Sequence, residues 1–162
     1  MKELFKEVTL DEIDLAILNE LQHNSRINNS ELARRINLSQ PATHTRLKRL
    51  ETLGVIRKHV SLLDREKLGL DMICLIQVRL QAHSEASLEH FQQAIVAMPE
   101  VLECYNLTGQ FDYMLKVVLK NRRELEQFLR TKIVTMPEVN QINTNVVLSE
   151  IKMTTVLPLP NE

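Results

Sequence analysis

A short basic segment carries the side chains best suited to bind nucleic acid. Between Gln40 and Val60 the sequence has five basic residues against a single acidic one, Glu51. Lysine and arginine pair with phosphate oxygens, and arginine and threonine also hydrogen-bond to the edges of bases. The whole chain, in contrast, has a formal net charge of −1. A focused basic patch on a nearly neutral chain indicates contact with a defined stretch of nucleic acid rather than non-specific coating.

The basic residues lie on a predicted helix that follows a second, shorter one. Asn28 can cap the shorter helix, and Glu31 three residues later completes the pattern of a capping box. Ser39 can cap the next helix, and Pro41 fits in its first turn, where a missing N–H group costs nothing. Gly54 can end this helix in a left-handed conformation. Two short helices joined by a tight turn predict a helix–turn–helix.

The second of these helices has an apolar side and a basic side. At 100° per residue, Thr43, Leu47 and Leu50 share the side expected to be buried, and Leu53 continues the apolar spacing. The opposite side, with small residues near the helix start, suits a DNA major groove. The alternative is an ordinary solvated helix face, against which the helix–turn–helix spacing argues. The residues predicted to contact DNA are Ser39, Gln40, Pro41, Ala42, Thr45, Arg46, Lys48, Arg49, Arg57 and Lys58.

A further helix and a linker flank this motif. Thr9 or Asp11 can cap a first helix, which would serve as the scaffold for the other two. After Gly54, apolar residues alternate around Arg57 and Lys58, which predicts a strand that forms a small wing or a connecting ribbon. We therefore predict a helix–turn–helix DNA-binding domain at residues 1–56 and a linker strand and hinge at residues 57–70.

The second half of the chain contains an internal repeat. The sequence MPEV at residues 98–101 recurs at residues 136–139, and each copy ends a predicted helix with an apolar stripe. Apolar segments typical of strands stand before and after each helix. The order β-α-β-β-α-β predicts a ferredoxin-like domain at residues 71–162. The fold class is therefore α+β, with an N-terminal three-helix, winged-helix-like module and a C-terminal ferredoxin-like domain.

Both faces of the predicted sheet carry apolar residues. In the first strand, Ile73 and Leu75 would lie on one face, and Cys74 and Ile76 on the other. Two helices can cover one face, and a second copy of the sheet is the obvious cover for the other. We therefore expect a dimer, whose paired helix–turn–helix modules would match two DNA half-sites.

The turn from Thr108 to Tyr113 has two interpretations. In the first it is a hairpin in which Gly109 supplies a positive φ and Asp112 bonds the nearby backbone. In the second it is a loop for a small ligand, with free amides near Gly109 for a carboxylate and Asp112 for an ammonium group.

Enzymatic sites are not apparent in the sequence. The five histidines are scattered without metal-ligand spacing, and three glycines, all at element ends, exclude a glycine-rich phosphate loop. We expect no catalytic residues, no metal and no cofactor. Cys74 and Cys104 lie in strand-like runs and are expected to be buried free thiols. No secretory signal or membrane span is apparent, so a reducing cytoplasm is the expected compartment.

Four motifs together resemble the Lrp/AsnC (leucine-responsive/asparagine regulator, or feast/famine) family of transcription factors. The resemblance runs from about Leu10 to Pro158 and rests on LDEIDLAILNELQHNSR, on NSELARRINLSQPATHTRLKRLETLGVI, on MPEV with TGQFDY, and on SEIKMTTVLPL. It implies a regulator of amino-acid metabolism genes that binds double-stranded DNA, forms dimers and often octamers, and holds an amino-acid effector between dimers.

The resemblance also implies where the effector binds. Gly109 and Asp112 match the family's glycine and acidic loop positions, whereas Gln110 departs from it, since an acidic residue is more usual there. The effector-binding residues it implies are Gly109, Gln110, Phe111, Asp112, Thr144 and Thr154.

We expect Arg49→Ala to weaken DNA binding by roughly 1–3 kcal/mol.

Two other functions are compatible with parts of the sequence. One is an amino-acid-binding ferredoxin-like protein, or an enzyme, without specific DNA binding. It would bind DNA no better than an unrelated neutral protein, and the absence of a poised acid/base pair argues against turnover. The other is an adaptor that uses the helix–turn–helix to bind protein, a role that does not require the basic patch.

Overall fold

The computed structural model describes residues 8–82 and 84–160, which fall into two compact units. The first comprises the residues up to Leu62 together with the segment from Lys152 onward, and the second is Leu63–Ile151. The predicted domains at residues 1–56, 57–70 and 71–162 stay a prediction. The final segment groups with the first unit because the Gln22 side chain donates to the carbonyl of Leu157 (3.2 Å) and accepts from its amide (2.6 Å).

The first unit is a three-helix module, as predicted. Its helices are α1 (Glu12–His23), α2 (Asn29–Arg35) and α3 (Gln40–Thr52). Ile17, Leu32 and Leu50 form its buried centre, one from each helix. Within the described residues, no helix is long and apolar enough to cross a membrane.

The helix caps explain where these helices begin. Asp11 caps α1 in a complete capping box with Asp14. The Asn28 side chain accepts from the amide of Glu31 at 2.9 Å, as predicted. The Glu31 carboxylate, however, binds two arginines of α2 instead of reaching back to the cap, so the capping box predicted there is incomplete. The Ser39 hydroxyl accepts from the amide of Ala42 at 3.4 Å and caps α3.

The linker does not form the predicted strand. Residues 57–64 have no regular structure, and Val60, Leu62 and Leu63 are more than half exposed. A strand needs a neighbour to pair its amides and carbonyls, and no described strand lies beside this segment. A 3-10 turn at Glu66–Leu68 follows and ends at Gly69, where φ is +73°.

The second unit is ferredoxin-like. Its elements are β1 (Met72–Leu80), α4 (Glu85–Val96), β2 (Val101–Asn106), β3 (Tyr113–Leu119), α5 (Arg122–Phe128, extended by a π-helical turn at Leu129–Ile133) and β4 (Val139–Val146). The sheet order is β2-β3-β1-β4, and all three pairings are antiparallel. This is the predicted βαββαβ arrangement.

The two faces of the sheet differ more than the sequence indicates. The helix-covered face is mostly apolar, with Ile76 and Leu115 packed among buried residues that include Phe91. The opposite face is mixed: it carries buried Ile73 and Val118, but also polar residues such as Gln77, Lys116, Asn143 and Asn145.

The two cysteines also differ. Cys74 is buried, as predicted, and burial raises the pKa of its thiol. Cys104 is exposed, which corrects the prediction. The reason is its position on β2, which lies at the edge of the sheet and is exposed along most of its length.

Candidate nucleic-acid interface and ligand loop

Helix α3 buries the side that the sequence predicts. Thr43 and Leu50 are fully buried, and Leu47 is half-buried. Leu53 is 44% exposed, so the predicted apolar stripe stops one turn earlier than expected. Each three-residue step moves a side chain about 60° around a helix, so Leu53 lies about 120° from Leu47 and away from the buried side.

The opposite side of α3 is open to solvent. Pro41, Thr45 and Lys48 are exposed there, and Ala42 is half-buried. The Thr45 hydroxyl donates to the carbonyl of Pro41 at 3.0 Å, which leaves its oxygen able to accept a hydrogen bond. Lys48 makes no ion pair with any other described residue. This side therefore offers small residues, a hydroxyl and an available ammonium group.

The N-terminal end of α3 is held by a hydrogen bond from α2. Gln40 is exposed, and its carbonyl accepts from the Asn29 side chain at 2.9 Å. Ser39 is exposed too, although its hydroxyl already serves as the helix cap. The start of α3 is thus fixed against α2, with its side chains directed outward.

Arg46 and Arg49 lie in an ion-pair cluster with the start of α1. Arg46 Nη1 is within 2.9 Å of both carboxylate oxygens of Asp11 and of Asp14 Oδ1. Arg49 Nη1 donates to Asp14 Oδ2 at 2.8 Å, and its Nη2 donates to the carbonyl of Thr9. The backbone hydrogen bond from Asp14 and the guanidinium of Arg46 lower the pKa of Asp11.

The cluster contains a functional candidate that the sequence reasoning missed. This candidate is Asp14, an acidic residue in the first turn of α1. The available signal was a matched spacing: two aspartates three residues apart, at the cap and in the first turn of α1, pair with two arginines three residues apart in α3. Nothing in the sequence alone places the two helices side by side, so the match becomes visible only in the structure.

Four other basic residues, on α2 and after α3, differ in whether they are paired. Arg57 and Lys58 are exposed in the irregular segment after α3 and form no ion pair with a described residue. Arg34 and Arg35 instead bind Glu31, and their hydrogen bonds lower the pKa of that carboxylate to about 2. Arg57 and Lys58 therefore extend the available positive charge of Lys48 beyond the end of α3.

The Thr108–Tyr113 turn has the hairpin geometry of the first interpretation. Gly109 has a φ of +123°. The Asp112 carboxylate accepts from the amide of Leu80 at 2.7 Å, and the Asp112 amide donates to the carbonyl of Val78. The backbone bond predicted for Asp112 is thus confirmed. The amides of Gly109, Gln110 and Phe111 make no hydrogen bond to another described residue.

The other two residues implied for the effector are not part of this hairpin. Thr144 is half-buried on β4, opposite Ile76 and on the helix-covered face. Thr154 lies in the segment that groups with the first unit, and its hydroxyl accepts from the amide of Val156 at 3.1 Å. The structure therefore brings together residues 109–112 and leaves the other two as predictions.

Both units match known families. Residues 10–57 match a winged helix-turn-helix DNA-binding model, and residues 73–157 match the Lrp/AsnC ligand binding domain. The transcriptional regulator AzlB of Bacillus subtilis is 35% identical over 152 residues, which cover 94% of this chain and 97% of that protein. The leucine-responsive regulatory protein of Haemophilus influenzae is 38% identical over 150 residues, 93% of this chain and 90% of that protein.

Solved structures show the same similarity over both units. A transcriptional regulator from Neisseria meningitidis in complex with L-Met has a TM-score of 0.89 at 35% identity and covers 93% of this chain and 97% of its own. AsnC of Escherichia coli has a TM-score of 0.86 at 28% identity and covers 93% of this chain and 100% of its own.

Proposed function

The chain belongs to the Lrp/AsnC family of transcriptional regulators, and from that premise we propose how its two units act. It is a DNA-binding regulator and not an enzyme, and its relatives do not favour the alternative of a ligand-binding protein without specific DNA binding. In our proposal the first unit reads DNA, and the second unit senses an amino acid and holds copies of the chain together.

DNA recognition rests on the outward side of α3. Gln40, Pro41, Ala42 and Thr45 would lie nearest the base edges in the major groove. Ser39 would lie at the rim of the groove while it caps the helix. The observation that carries the proposal is a set of exposed cations without a protein partner among the described residues, and these would bind phosphates: Lys48, Arg57 and Lys58. The sequence also predicts contacts from Arg46 and Arg49, but aspartates already hold both guanidinium groups.

The effector is proposed to be an amino acid bound at the hairpin. The amides of Gly109, Gln110 and Phe111 are available for its carboxylate. Asp112 holds the hairpin against β1 and can also face the ammonium group. Thr144 and Thr154 are included from the family resemblance. L-Met is the first ligand to test, because a solved relative contains it.

The assembly is proposed to be at least a dimer, with the mixed face of the sheet against its counterpart in a second copy. Half-buried Leu75 supplies apolar surface there, and Gln77 and Asn143 already hydrogen-bond to each other at 2.9 Å. Sedimentation equilibrium would test this: Leu75→Asp should shift the protein toward monomer. An unchanged mass would show that this face is not the interface.

Octamers are a further expectation from the family. A regulator of chromosomal genes would act in the cytoplasm.

The test of the proposed function uses two DNA duplexes of equal length. One carries the region upstream of the protein's own gene, and the other carries the same bases in shuffled order. Tight binding to the first, falling steeply with salt, would support the regulator, and equal affinity for both would contradict it. Each amino acid is then added separately. A change in DNA affinity with one of them names the effector, and no change with any would refute only the effector proposal.

A further inference from the structure

Asp14 is a buried carboxylate at the centre of the contact between α1 and α3. Its side chain is only 2% exposed. Arg46 Nη1 donates to its Oδ1 at 2.9 Å, and Arg49 Nη1 donates to its Oδ2 at 2.8 Å, so each oxygen holds a different arginine. A buried charge is tolerated only when it is paired, and here both partners come from the recognition helix.

The cluster is balanced in charge. Asp11 and Asp14 supply two negative charges, and Arg46 and Arg49 supply two positive ones. The side chain of Arg46 is 30% exposed and that of Arg49 is 46% exposed, and both donate to the aspartates. A guanidinium neutralised in this way adds little net charge to a DNA-binding surface.

The cluster lies on a third side of α3. On a helical wheel Arg46 lies roughly 40° from Leu50 and Arg49 lies roughly 40° from Thr45, so the two arginines occupy the flank between the buried side and the outward side. The apolar contact on the buried side is not directional. The hydrogen-bonded contact on the flank is directional, and it fixes the rotation of the helix about its axis.

We propose that Asp14 is a positioning residue for DNA recognition, which sets the rotation of α3 by holding Arg46 and Arg49 away from the DNA. This rests on the proposed interface on the outward side of α3. In this proposal the outward side of α3, with Thr45 and Lys48, distinguishes one DNA sequence from another. Asp14 sets the direction of that side without touching the DNA. The proposal also predicts that the two arginines contribute to specificity through Asp14 and not through phosphate contacts.

The experiment compares Asp14→Asn with Glu20→Gln on the two duplexes described above. Glu20→Gln is the matched control, since it also neutralises a carboxylate of α1 that pairs with an arginine, but that arginine, Arg35, lies on α2. We expect Asp14→Asn to lower the ratio of upstream to shuffled affinity at least tenfold, and Glu20→Gln to change it less than threefold. A general loss of folded protein would lower both affinities by the same factor and leave the ratio unchanged. A ratio retained in folded Asp14→Asn, checked by circular dichroism, would overturn the proposal.

A milder variant decides the question if Asp14→Asn does not fold. Arg49→Gln removes one partner and leaves Asp14 paired with Arg46. Positioning predicts a lower affinity ratio with an unchanged salt dependence on shuffled DNA. A direct phosphate contact predicts that the slope of log affinity against log salt becomes shallower by about 0.9 per copy, which would overturn the proposal. If the wild type itself shows no preference between the duplexes, the proposed interface fails as a whole.

Discussion

Lys48 gives the most direct test of how α3 faces DNA. Its ammonium group lies on the outward side, is exposed, and has no ion-pair partner among the described residues. Each phosphate neutralised by a lysine contributes about 0.9 to the slope of log affinity against log salt. If the protein binds as a dimer with one Lys48 in each copy, Lys48→Ala should make that slope shallower by about 1.8.

The slope converts into a measurable ratio. Between 50 and 200 mM salt, wild-type affinity should fall about 12-fold more than that of Lys48→Ala, or about 3.5-fold more if only one copy touches DNA. Fluorescence anisotropy on a labelled duplex at five salt concentrations measures this. Lys120→Ala is the control, because Lys120 is an exposed lysine of the second unit beside Glu124. A slope equal to wild type in Lys48→Ala would refute the assigned orientation of α3.

Three further predictions concern stability. Gly109→Ala should destabilise the second unit by about 1–3 kcal/mol, which thermal unfolding would measure. The cause is backbone strain at a φ of +123° and not a steric clash, because no heavy atom lies within 4 Å of the added Cβ. Lys132→Met should cost about 1–2 kcal/mol in urea unfolding, because it removes the 2.6 Å bond to Glu100, whose other oxygen is buried without a partner among the described residues. Glu31→Gln should lose a stabilisation that wild type keeps above pH 4.5 and loses as the pH falls through about 2. The melting temperatures of wild type and Glu31→Gln should therefore converge as the pH falls from 4.5 to about 2. A difference between them that does not depend on pH would contradict the ion pairs assigned to Glu31.

The elements predicted best are those whose signals are local. Strands β1 and β3 lie in apolar segments typical of strands, as predicted. The starts of α2 and α3 follow from Asn28 and Ser39, which accept hydrogen bonds from amides three residues later. In each case the interaction that fixes the element spans only a few residues, so the sequence carries it in full.

The predictions that failed depend on neighbours distant in the chain. The linker around Val60 has the alternation of a strand but no described strand to pair with. Cys104 has the apolar context of a buried residue but lies on an edge strand. Glu31 has the spacing of a capping box, yet two arginines one turn away compete for its carboxylate. The same limit hides the role of Asp14, whose partners lie 32 and 35 residues away.

The contact between Gln22 and Leu157 has a consequence for synthesis of the protein. The two residues are separated by 135 positions, so a chain made from its amino end at about 5–20 residues per second presents Leu157 about 7–27 s after Gln22. The groove on α1 that Leu159 and Pro160 help to line, beside Leu15 and Ala16, stays open during that interval. The three helices are consecutive in the chain and are synthesised before the sheet, whereas the segment that completes their unit is synthesised after the sheet.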